Sequence, residues 1–382
     1  MADIENLIVG AGPAGLAMAA CFADLGINYQ IWEASDRVGH SWSRHYHRLH
    51  LHTVKEYSSL PLKDFPRDYP RFVSRQQMLQ YLGNYAEKFN IKPQFGRKLI
   101  GVKSSGGEWL VTDNQGNETL THNLVIATGL NRIPRQPKWP GMDSFTGNII
   151  HSRQYRNADP FVNKKCLVVG FGNTGAEIAL DLAENHIETA ISVRSAVNIV
   201  PREAFGRPTQ LTALKIRNFP LWFQDILGNF MKRVTIGNLQ DYGIRITPDS
   251  PLQQLRTTGK TPMIDLGTVK LIREGRISVF PDISGFSGKE VTFSDGSSEE
   301  FDQVICATGY RSGISELIPE TGEFLDRYGN PKFPVGSGKW AGLYFLGFDN
   351  FRPGGILGII REDAKRIAHH IRNYRTSLNQ LI

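Results

Sequence analysis

Two glycine-rich segments of the same pattern could each bind the pyrophosphate of a dinucleotide. In a G-x-G-x-x-G segment the first glycine makes a tight turn, the second lets the backbone approach the phosphates, and the third lets a helix pack on a strand. The amides at the start of that helix then face the phosphate charge. A single copy can arise by chance, but two copies in strand-turn-helix context indicate two dinucleotide sites. The candidate residues are Gly10, Gly12, Pro13, Ala14 and Gly15 in GAGPAG, and Gly170, Gly172, Asn173, Thr174 and Gly175 in GFGNTG.

The elements around each glycine segment must supply the rest of the site. An apolar run precedes each segment, a helical pattern follows it, and a further strand ends in Glu33 in the first unit and in Arg194 in the second. A carboxylate accepts hydrogen bonds from the ribose diol of FAD or NAD, whereas a guanidinium binds the 2′-phosphate of NADP bidentately. The sequence therefore predicts FAD or NAD in the first site and NADPH in the second.

The order of these units predicts an α/β fold with two nucleotide-binding Rossmann-like domains, the second inserted in the first. The expected parts are 1–155 for the first half of the FAD-binding domain, 156–275 for the NADPH-binding domain and 276–382 for the second half of the FAD-binding domain. Strands at 108–112, 118–120 and 123–127 are expected to form a meander, and a last buried strand at 342–347 precedes a final helix from Gly355.

A helical insertion is expected at about 201–251, where the pattern changes to amphipathic stretches containing Trp222, Phe223, Leu227, Phe230 and Met231. These side chains would either line a substrate tunnel or pack in a core. Core packing is favoured, because aromatic side chains are usually buried for their area alone.

Composition excludes several classes of protein. The net charge of +7 is spread along 382 residues and interleaved with 37 acids, with no nucleic-acid-binding motif, so a nucleic-acid partner is not expected. There is no apolar run long enough to span a membrane and no leader-like start at Met1, which predicts a cytoplasmic protein. The cysteines Cys21, Cys166 and Cys306 are scattered and form no C-x-x-C pair, which argues against a disulfide reductase.

Five histidines lie within thirteen residues: His40, His45, His47, His50 and His52. Strict alternation predicts a strand that presents Arg48, His50 and His52 on one face and two leucines on the other. No metal site is expected, since zinc ligands usually come at tighter spacings and with cysteine or carboxylate partners. His52 is instead a candidate for contact with the reactive part of a cofactor or substrate.

A third motif narrows the class. Phe145, Gly147, His151 and Tyr155 fit the pattern F-x-G-x-x-x-H-x-x-x-(F/Y/W), which lies just before the NADPH glycines in class B flavin-dependent monooxygenases. The chain resembles that family over nearly its full length, and Tyr155 favours its flavin-containing monooxygenase branch. His151 has two open interpretations, a catalytic role and a structural role at an interdomain hinge. The resemblance adds Ser41, Trp42, Ala127, Thr128, Gly129, Ala307, Thr308, Gly309 and Tyr310 to the candidate cofactor-binding residues.

Within that family the chain looks most similar to the YUCCA enzymes, plant indole-3-pyruvate monooxygenases. The similarity rests on segments at 46–55, 69–75, 172–182 and 262–269. Phe171, where YUCCA enzymes have a small residue, and the long segment at 351–355 depart from their pattern. The resemblance implies that FAD is reduced by NADPH and captures O₂ as a C4a-(hydro)peroxyflavin.

The substrate expected from this resemblance is an anionic or aromatic small molecule, with oxidative decarboxylation of an α-keto acid as the best-supported reaction. Arg48 or Lys55 would hold its carboxylate. Two alternatives remain open: an N-, S- or Baeyer-Villiger-oxygenating enzyme, and an NADPH oxidase-type flavoprotein or redox sensor. A homodimer is also possible.

Overall fold

The computed structural model describes residues 2–379 and contains two large sheets, one mixed and one parallel, each with a glycine turn between a strand and the helix that follows it. The strands are β1 (Ala2–Val9), β2 (Gln30–Glu33), β3 (Gln94–Phe95), β4 (Leu99–Ser105), β5 (Glu108–Asp113), β6 (Glu118–Ile126), β7 (Ile133–Pro134), β8 (Asn148–His151), β9 (Lys165–Val169), β10 (Glu188–Ser192), β11 (Ile199–Pro201), β12 (Glu203–Ala204), β13 (Arg207–Pro208), β14 (Met263–Asp265), β15 (Ile277–Phe280), β16 (Ile283–Ser287), β17 (Glu290–Phe293), β18 (Ser298–Glu300), β19 (Gln303–Cys306), β20 (Tyr310–Arg311) and β21 (Leu343–Phe345). The helices are α1 (Pro13–Asp24), α2 (His40–Ser43), α3 (Arg75–Lys88), α4 (Asn173–Glu184), α5 (Thr209–Ile216), α6 (Leu221–Thr235), α7 (Pro251–Thr258), α8 (Thr268–Arg273), α9 (Ile314–Leu317) and α10 (Ile356–Asn379).

The first sheet has the strand order β3-β2-β1-β6-β5-β4, and β21 pairs with the C-terminal half of β6. Its strands β1, β2, β3, β6 and β21 run parallel, while β4, β5 and β6 form an antiparallel meander. Helices α1, α3 and α10 pack on one face through a core of buried aliphatic and aromatic side chains. This arrangement is a Rossmann-like unit, and the predicted α/β fold class is confirmed.

The second sheet has the order β15-β10-β9-β19-β8, and all its strands are parallel. Buried side chains of α4 and α8 pack against it. The short meander β16-β17-β18 packs a separate apolar cluster against the same sheet. The second glycine turn, at Gly170, leads from β9 into α4 just as the first leads from β1 into α1.

Two expected boundaries differ from the sheet membership. The sequence predicts a return to the first domain at residue 276, whereas β15 and β19 hydrogen-bond to β10 and β9 in the second sheet. The segment 148–151, expected in the first domain, is β8 and pairs with β19. The second sheet therefore takes strands from residues 148–306, and the first sheet regains only β21. The sequence pattern of a buried strand does not tell which sheet it joins, which explains the error.

Local predictions agree in part. The final helix begins at Ile356, one residue after the expected start, and β21 is buried as expected. The expected meander is displaced: residues 118–126 form one strand, and its third member is β4 at 99–105. The helical insertion contains α5, α6 and α7 and ends at Thr258, later than expected.

Candidate functional site

The first and third glycines of the first turn leave no room for a side chain. Gly10 has a φ of +109°, and a Cβ there would lie 2.6 Å from the Ala127 carbonyl oxygen. A Cβ on Gly15 would lie 1.7 Å from the Gly10 oxygen, so α1 could not pack where it does. Gly12, by contrast, faces open space, and the α1 N-terminus has no side-chain cap. Free amides beside open space are the arrangement that a pyrophosphate requires.

Glu33 stands at the edge of this first turn. Its Oε2 accepts a hydrogen bond from the Ala11 amide at 2.7 Å, and its Oε1 accepts from the amide and hydroxyl of Ser35 at 2.8 and 2.7 Å. The carboxylate is thereby fixed next to the glycine turn, where the sequence predicts a ribose.

The second glycine turn repeats this geometry. Gly170 has a φ of +107°, and a Cβ there would lie 2.7 Å from the Ala307 oxygen. A Cβ on Gly175 would lie 1.9 Å from the Gly170 oxygen, while Gly172 faces open space and leaves the α4 N-terminus uncapped. Asn173 accepts a hydrogen bond from the Ile264 amide through Oδ1 at 2.7 Å. The residues present therefore fit a second pyrophosphate.

Arg194 follows β10 and is exposed. The guanidinium of Arg245, which the sequence analysis did not single out, donates a hydrogen bond to the Arg194 carbonyl oxygen at 3.2 Å. Two arginines therefore lie together at the end of the second strand of this unit. A 2′-phosphate would be bound by charge-assisted hydrogen bonds at this position.

A cavity of about 1410 Å³ extends from the first glycine turn to the helical insertion. It is lined by predicted cofactor-binding residues: Gly10, Gly12, Pro13, Ala14, Glu33, Ser41, Trp42, Ala127, Thr128, Gly129 and Asn173. The other predicted cofactor-binding residues lie outside its lining: Gly15, Gly170, Gly172, Thr174, Gly175, Arg194, Ala307, Thr308, Gly309 and Tyr310. This volume is larger than the roughly 300–1,000 Å³ of a typical small-molecule site.

His52 also lines this cavity, and it contacts a buried acid. Its Nε2 lies 2.5 Å from Oε1 of Glu177, a residue of α4 whose side chain is only 2% exposed. Nδ1 of His52 is buried and has no hydrogen-bond partner among residues 2–379. Burial, and secondarily the carboxylate of Glu177, raises the pKa of the neighbouring Tyr46 hydroxyl well above its ordinary value. The imidazole is thus oriented by Glu177 on one side, while its buried Nδ1 faces the interior of the protein.

The histidine segment is not the predicted strand. Residues 46–52 are irregular, with a turn at 47–48 and one isolated bridge between His50 and Ser74, so alternation does not sort their side chains into two faces. His50 and His52 line the cavity together with both neighbouring leucines. His50 Nδ1 lies 2.7 Å from the Arg48 oxygen. The alternating sequence does not form a regular strand here. Its backbone makes single hydrogen bonds to other segments instead, such as the one that the Leu51 amide donates to the Val73 carbonyl oxygen.

Neither cation predicted to hold a substrate carboxylate lines the cavity. Arg48 pairs with Asp181 at 3.3 Å and with Glu184 at 2.8 Å, both on α4. Lys55 donates to the carbonyl oxygens of Arg67 and Tyr69 at 2.8 and 2.5 Å. Both side chains hold segments of the fold together, and the geometry gives the proposed carboxylate-binding role no support.

His151 ends β8 with both ring nitrogens in use. Nε2 lies 3.2 Å from the Gly309 oxygen, and Nδ1 accepts from the Arg153 amide at 3.1 Å. Desolvation lowers the pKa of His151, and its ring packs edge-on against Tyr310 at 5.0 Å. These contacts join the end of β8 to the chain after β19, which favours the structural interpretation.

A sequence comparison identifies the family of this chain. The sequence model of the family described as flavin-binding monooxygenase-like matches residues 5–317. The chain belongs to this flavin-binding monooxygenase-like family.

Two relatives of this flavin-binding monooxygenase-like protein come from plants. It is 37% identical over 378 residues to the probable indole-3-pyruvate monooxygenase YUCCA9 of Arabidopsis thaliana, covering 96% of this chain and 88% of the relative. It is 36% identical over 372 residues to the indole-3-pyruvate monooxygenase YUCCA1 of Oryza sativa subsp. japonica, covering 96% and 90%. The resemblance to YUCCA enzymes is therefore confirmed.

Solved structures share the fold of this flavin-binding monooxygenase-like chain. The flavin-containing monooxygenase of Stenotrophomonas maltophilia has a TM-score of 0.74 at 20% identity, covering 98% of this chain and 99% of that one. OTEMO in complex with FAD and NADP has a TM-score of 0.75 at 15% identity, covering 98% of this chain and 85% of that one. A bacillithiol disulfide reductase of Staphylococcus aureus has a TM-score of 0.68 at 16% identity, covering 97% and 98%. The fold is thus shared beyond monooxygenases.

The helical insertion of this flavin-binding monooxygenase-like protein lines the far end of the cavity with aliphatic side chains. They are Ala213, Ile216, Leu227, Met231, Leu252 and Leu255. Trp222 and Phe230, expected to be in a core or a tunnel, are instead 65% and 59% exposed on the outer face of α6. Leu227 and Met231 agree with the tunnel alternative, and the preferred core-packing interpretation is wrong for the exposed aromatics.

Sequence reasoning missed Arg202, which lines the same end of the cavity. Its guanidinium lies 4.3 Å from the centre of the Phe72 ring, and no carboxylate within residues 2–379 forms an ion pair with it. Arg352, another cavity arginine, is by contrast paired with Asp349 and Asp363. A cation in an apolar pocket without an acidic partner is a ready ligand for an anion. The available signal was that Arg202 forms no ion pair within residues 2–379, which no sequence spacing shows.

Proposed function

We propose that this protein is an NADPH- and O₂-dependent flavin monooxygenase that converts an α-keto acid to the carboxylic acid one carbon shorter. Membership of the flavin-binding monooxygenase-like family supports the class. The similarity to indole-3-pyruvate monooxygenases supports an aromatic α-keto acid such as indole-3-pyruvate as substrate.

The two glycine turns support the cofactor assignment. FAD fits the turn at Gly10 to Gly15, where Glu33 would accept the ribose hydroxyls. NADPH fits the turn at Gly170 to Gly175, with Arg194 and Arg245 placed for the 2′-phosphate. When bound, FAD supplies the transfer of electrons from NADPH to O₂. The protein supplies orientation and excludes water from the cavity.

The observation that carries the substrate proposal is Arg202, an unpaired cation at the apolar end of a cavity that starts at the flavin turn. Its guanidinium would bind the carboxylate of the keto acid bidentately, while the aliphatic side chains of α6 and α7 cover the aromatic part. This geometry would fix the carbonyl carbon between the anion site and the flavin end of the cavity.

The overall reaction balances as R–CO–COO⁻ + O₂ + NADPH + H⁺ giving R–COO⁻ + CO₂ + H₂O + NADP⁺. One oxygen atom enters the new carboxylate, the other leaves as water, and the bond between the two carbonyl carbons breaks. His52, held by Glu177, would contact the reacting group with its ring from the cavity wall. Its role would be to orient the reacting group.

Product analysis tests the proposal. The flavin-loaded protein is incubated with NADPH, ¹⁸O₂ and a panel of indole-3-pyruvate, phenylpyruvate, trimethylamine and cyclohexanone. We expect the shortened acids with one ¹⁸O and stoichiometric CO₂ from the keto acids only. An N-oxide or a lactone would move the assignment to another monooxygenase, and hydrogen peroxide equal to the NADPH consumed, with no organic product, would refute it.

A charge variant tests the carboxylate site. Arg202→Gln should raise the KM for indole-3-pyruvate on the order of tenfold or more, because a charge-assisted hydrogen bond to a desolvated anion is lost. Arg207→Gln, which removes an exposed arginine five residues away, is the matched control and should leave the KM unchanged. Equal effects of both variants would exclude Arg202 as the carboxylate ligand.

A further inference from the structure

The outer face of α6 carries an unusual set of exposed apolar side chains. Trp222, Ile226, Phe230 and Val234 recur every four residues and therefore lie along one face over about 18 Å. Leu221 and Phe219 extend this face at its N-terminal end. All six side chains are 53–65% exposed. We call them the α6 apolar face.

The opposite face of α6 is fixed to the protein, so the helix cannot turn to bury its apolar face. The buried Lys232 ammonium donates to the carbonyl oxygens of Thr247 and Asp249, both at 2.8 Å. Asp225 is held by two hydrogen bonds from Arg256, at 2.9 and 2.7 Å. The exposed apolar face is therefore a stable feature of the surface and needs a partner.

The charges around the α6 apolar face have one sign. Residues 205–240 contain five cations and one acid, Asp225, which Arg256 neutralises. Four cations of this segment are exposed: Arg207 and, nearer to α6 along the chain, Lys215, Arg217 and Arg233. An apolar helix face flanked by exposed cations is the pattern of helices that lie in the interface of an anionic bilayer.

We propose that the α6 apolar face binds the surface of membranes rich in anionic lipids, with α6 parallel to the bilayer. The aromatic and aliphatic side chains would enter the boundary between headgroups and acyl chains, while Lys215, Arg217 and Arg233 pair with lipid phosphates. A second copy of the chain fits this face less well, because a two-fold contact would bring the like-charged segments together. None of the helices within residues 2–379 is long and apolar enough to cross a membrane, so the binding is peripheral.

Vesicle binding tests this proposal without reference to catalysis. The flavin-loaded protein is mixed with vesicles of phosphatidylcholine alone or with about one third phosphatidylglycerol, then separated by flotation. We expect binding to the anionic vesicles that weakens with added salt. Trp222 is the most exposed tryptophan of the chain, so its emission should shift to the blue on binding. Trp222→Phe should keep the binding and lose most of that shift.

Two variants and a control locate the surface. Trp222→Ser with Phe230→Ser, and separately Lys215→Glu with Arg217→Glu, should each lower the partition coefficient at least about tenfold. Phe333→Ser, which removes another largely exposed aromatic, should bind like the unaltered protein. Circular dichroism and melting temperature check that the variants fold.

Three results would overturn the proposal. The first is no preference of the unaltered protein for anionic vesicles. The second is equal loss of binding in Phe333→Ser and the α6 variants. The third is a dimer in sedimentation velocity that the Trp222 and Phe230 substitutions convert to a monomer, with no vesicle binding, which would make a second copy the occupant of this face.

Discussion

The two glycine turns have the same backbone and different surroundings. Gly10 and Gly170 have φ values of +109° and +107°, and the third glycine of each turn lies against the oxygen of the first. The first turn opens into the cavity beside a fixed carboxylate, Glu33. The second ends beside two arginines at the surface, Arg194 and Arg245.

Because the two turns share one backbone geometry, the glycine turn can provide a pyrophosphate site but does not determine which dinucleotide binds. The choice is made by the residue that follows the next strand, since that residue meets the adenosine ribose. Within one chain the same fold unit can therefore serve two cofactors. Four predictions test this difference between the two turns.

The largest effects are expected from substituting the third glycine of each turn by alanine. Gly15→Ala should abolish flavin binding, because its Cβ would overlap the Gly10 oxygen and displace α1. Gly175→Ala should keep the flavin but weaken NADPH binding on the order of a hundredfold, through the same overlap at Gly170. Flavin absorbance and rapid-reaction titration with NADPH measure the two sites. Loss of flavin from both variants would show that the sites are not separable in this way.

Arg194→Ala should reduce the preference for NADPH over NADH about ten- to a hundredfold, since bidentate pairing with the 2′-phosphate is lost. The ratio of kcat/KM for the two reductants is the measurement. Glu33→Gln serves as the counterpart in the first turn and should change flavin retention with no effect on this ratio. Full NADPH preference in Arg194→Ala would refute the 2′-phosphate assignment.

Glu177→Gln should lower kcat about tenfold with little change in the KM for NADPH, because the orientation of His52 is lost while the second turn stays intact. Steady-state kinetics over a range of pH would report it. Glu184→Gln, on the same helix and paired with Arg48 at the surface, is the matched control. A rise in the NADPH KM without a fall in kcat would assign Glu177 to cofactor binding instead.

The smallest effect concerns His45, near the first turn. Burial, and then Arg153, Arg156 and Arg75, lower its pKa to about 4. The unfolded chain binds this proton near the ordinary pKa of 6.5, so stability contributed by the neutral imidazole is complete above pH 6.5 and is lost as the pH falls toward 4. His45→Gln should reduce the loss of unfolding free energy between pH 6.5 and 4 by about 1 kcal/mol or more. Denaturant unfolding at both pH values measures it, and an unchanged pH dependence would contradict the assignment.

The glycine turns could be predicted from sequence because their contacts are local. Gly10 to Gly15 and the strand and helix beside them lie within about thirty residues, and Glu33 follows at a fixed interval. The same holds for the turn at Gly170. The helix from Ile356 was equally predictable, since it has a sustained helical pattern.

The rest of the site could not be predicted because it depends on contacts between distant segments. His52 and Glu177 are 125 residues apart, and Arg202 was recognisable only from its place in the cavity wall and from the lack of an ion pair within residues 2–379. The prediction of which sheet contains β19 was wrong for the same reason, since its buried residues would suit either sheet. Trp222 and Phe230 were misassigned because hydrophobicity gives no information on which side of a helix the protein covers.

The pairing of β21 with β6 has a consequence for how the chain folds. These strands pair Leu343 with Leu124, so the first sheet stays incomplete until residues near the C-terminal end have been synthesised. Loop closure over such a distance is slow and leaves apolar strand edges exposed in the meantime. The intervening segment, which forms the second sheet through contacts within residues 148–306, can close earlier. During synthesis we therefore expect the second sheet, with its glycine turn, to be complete before the first sheet. This is the reverse of the order in which the two sheets begin along the chain.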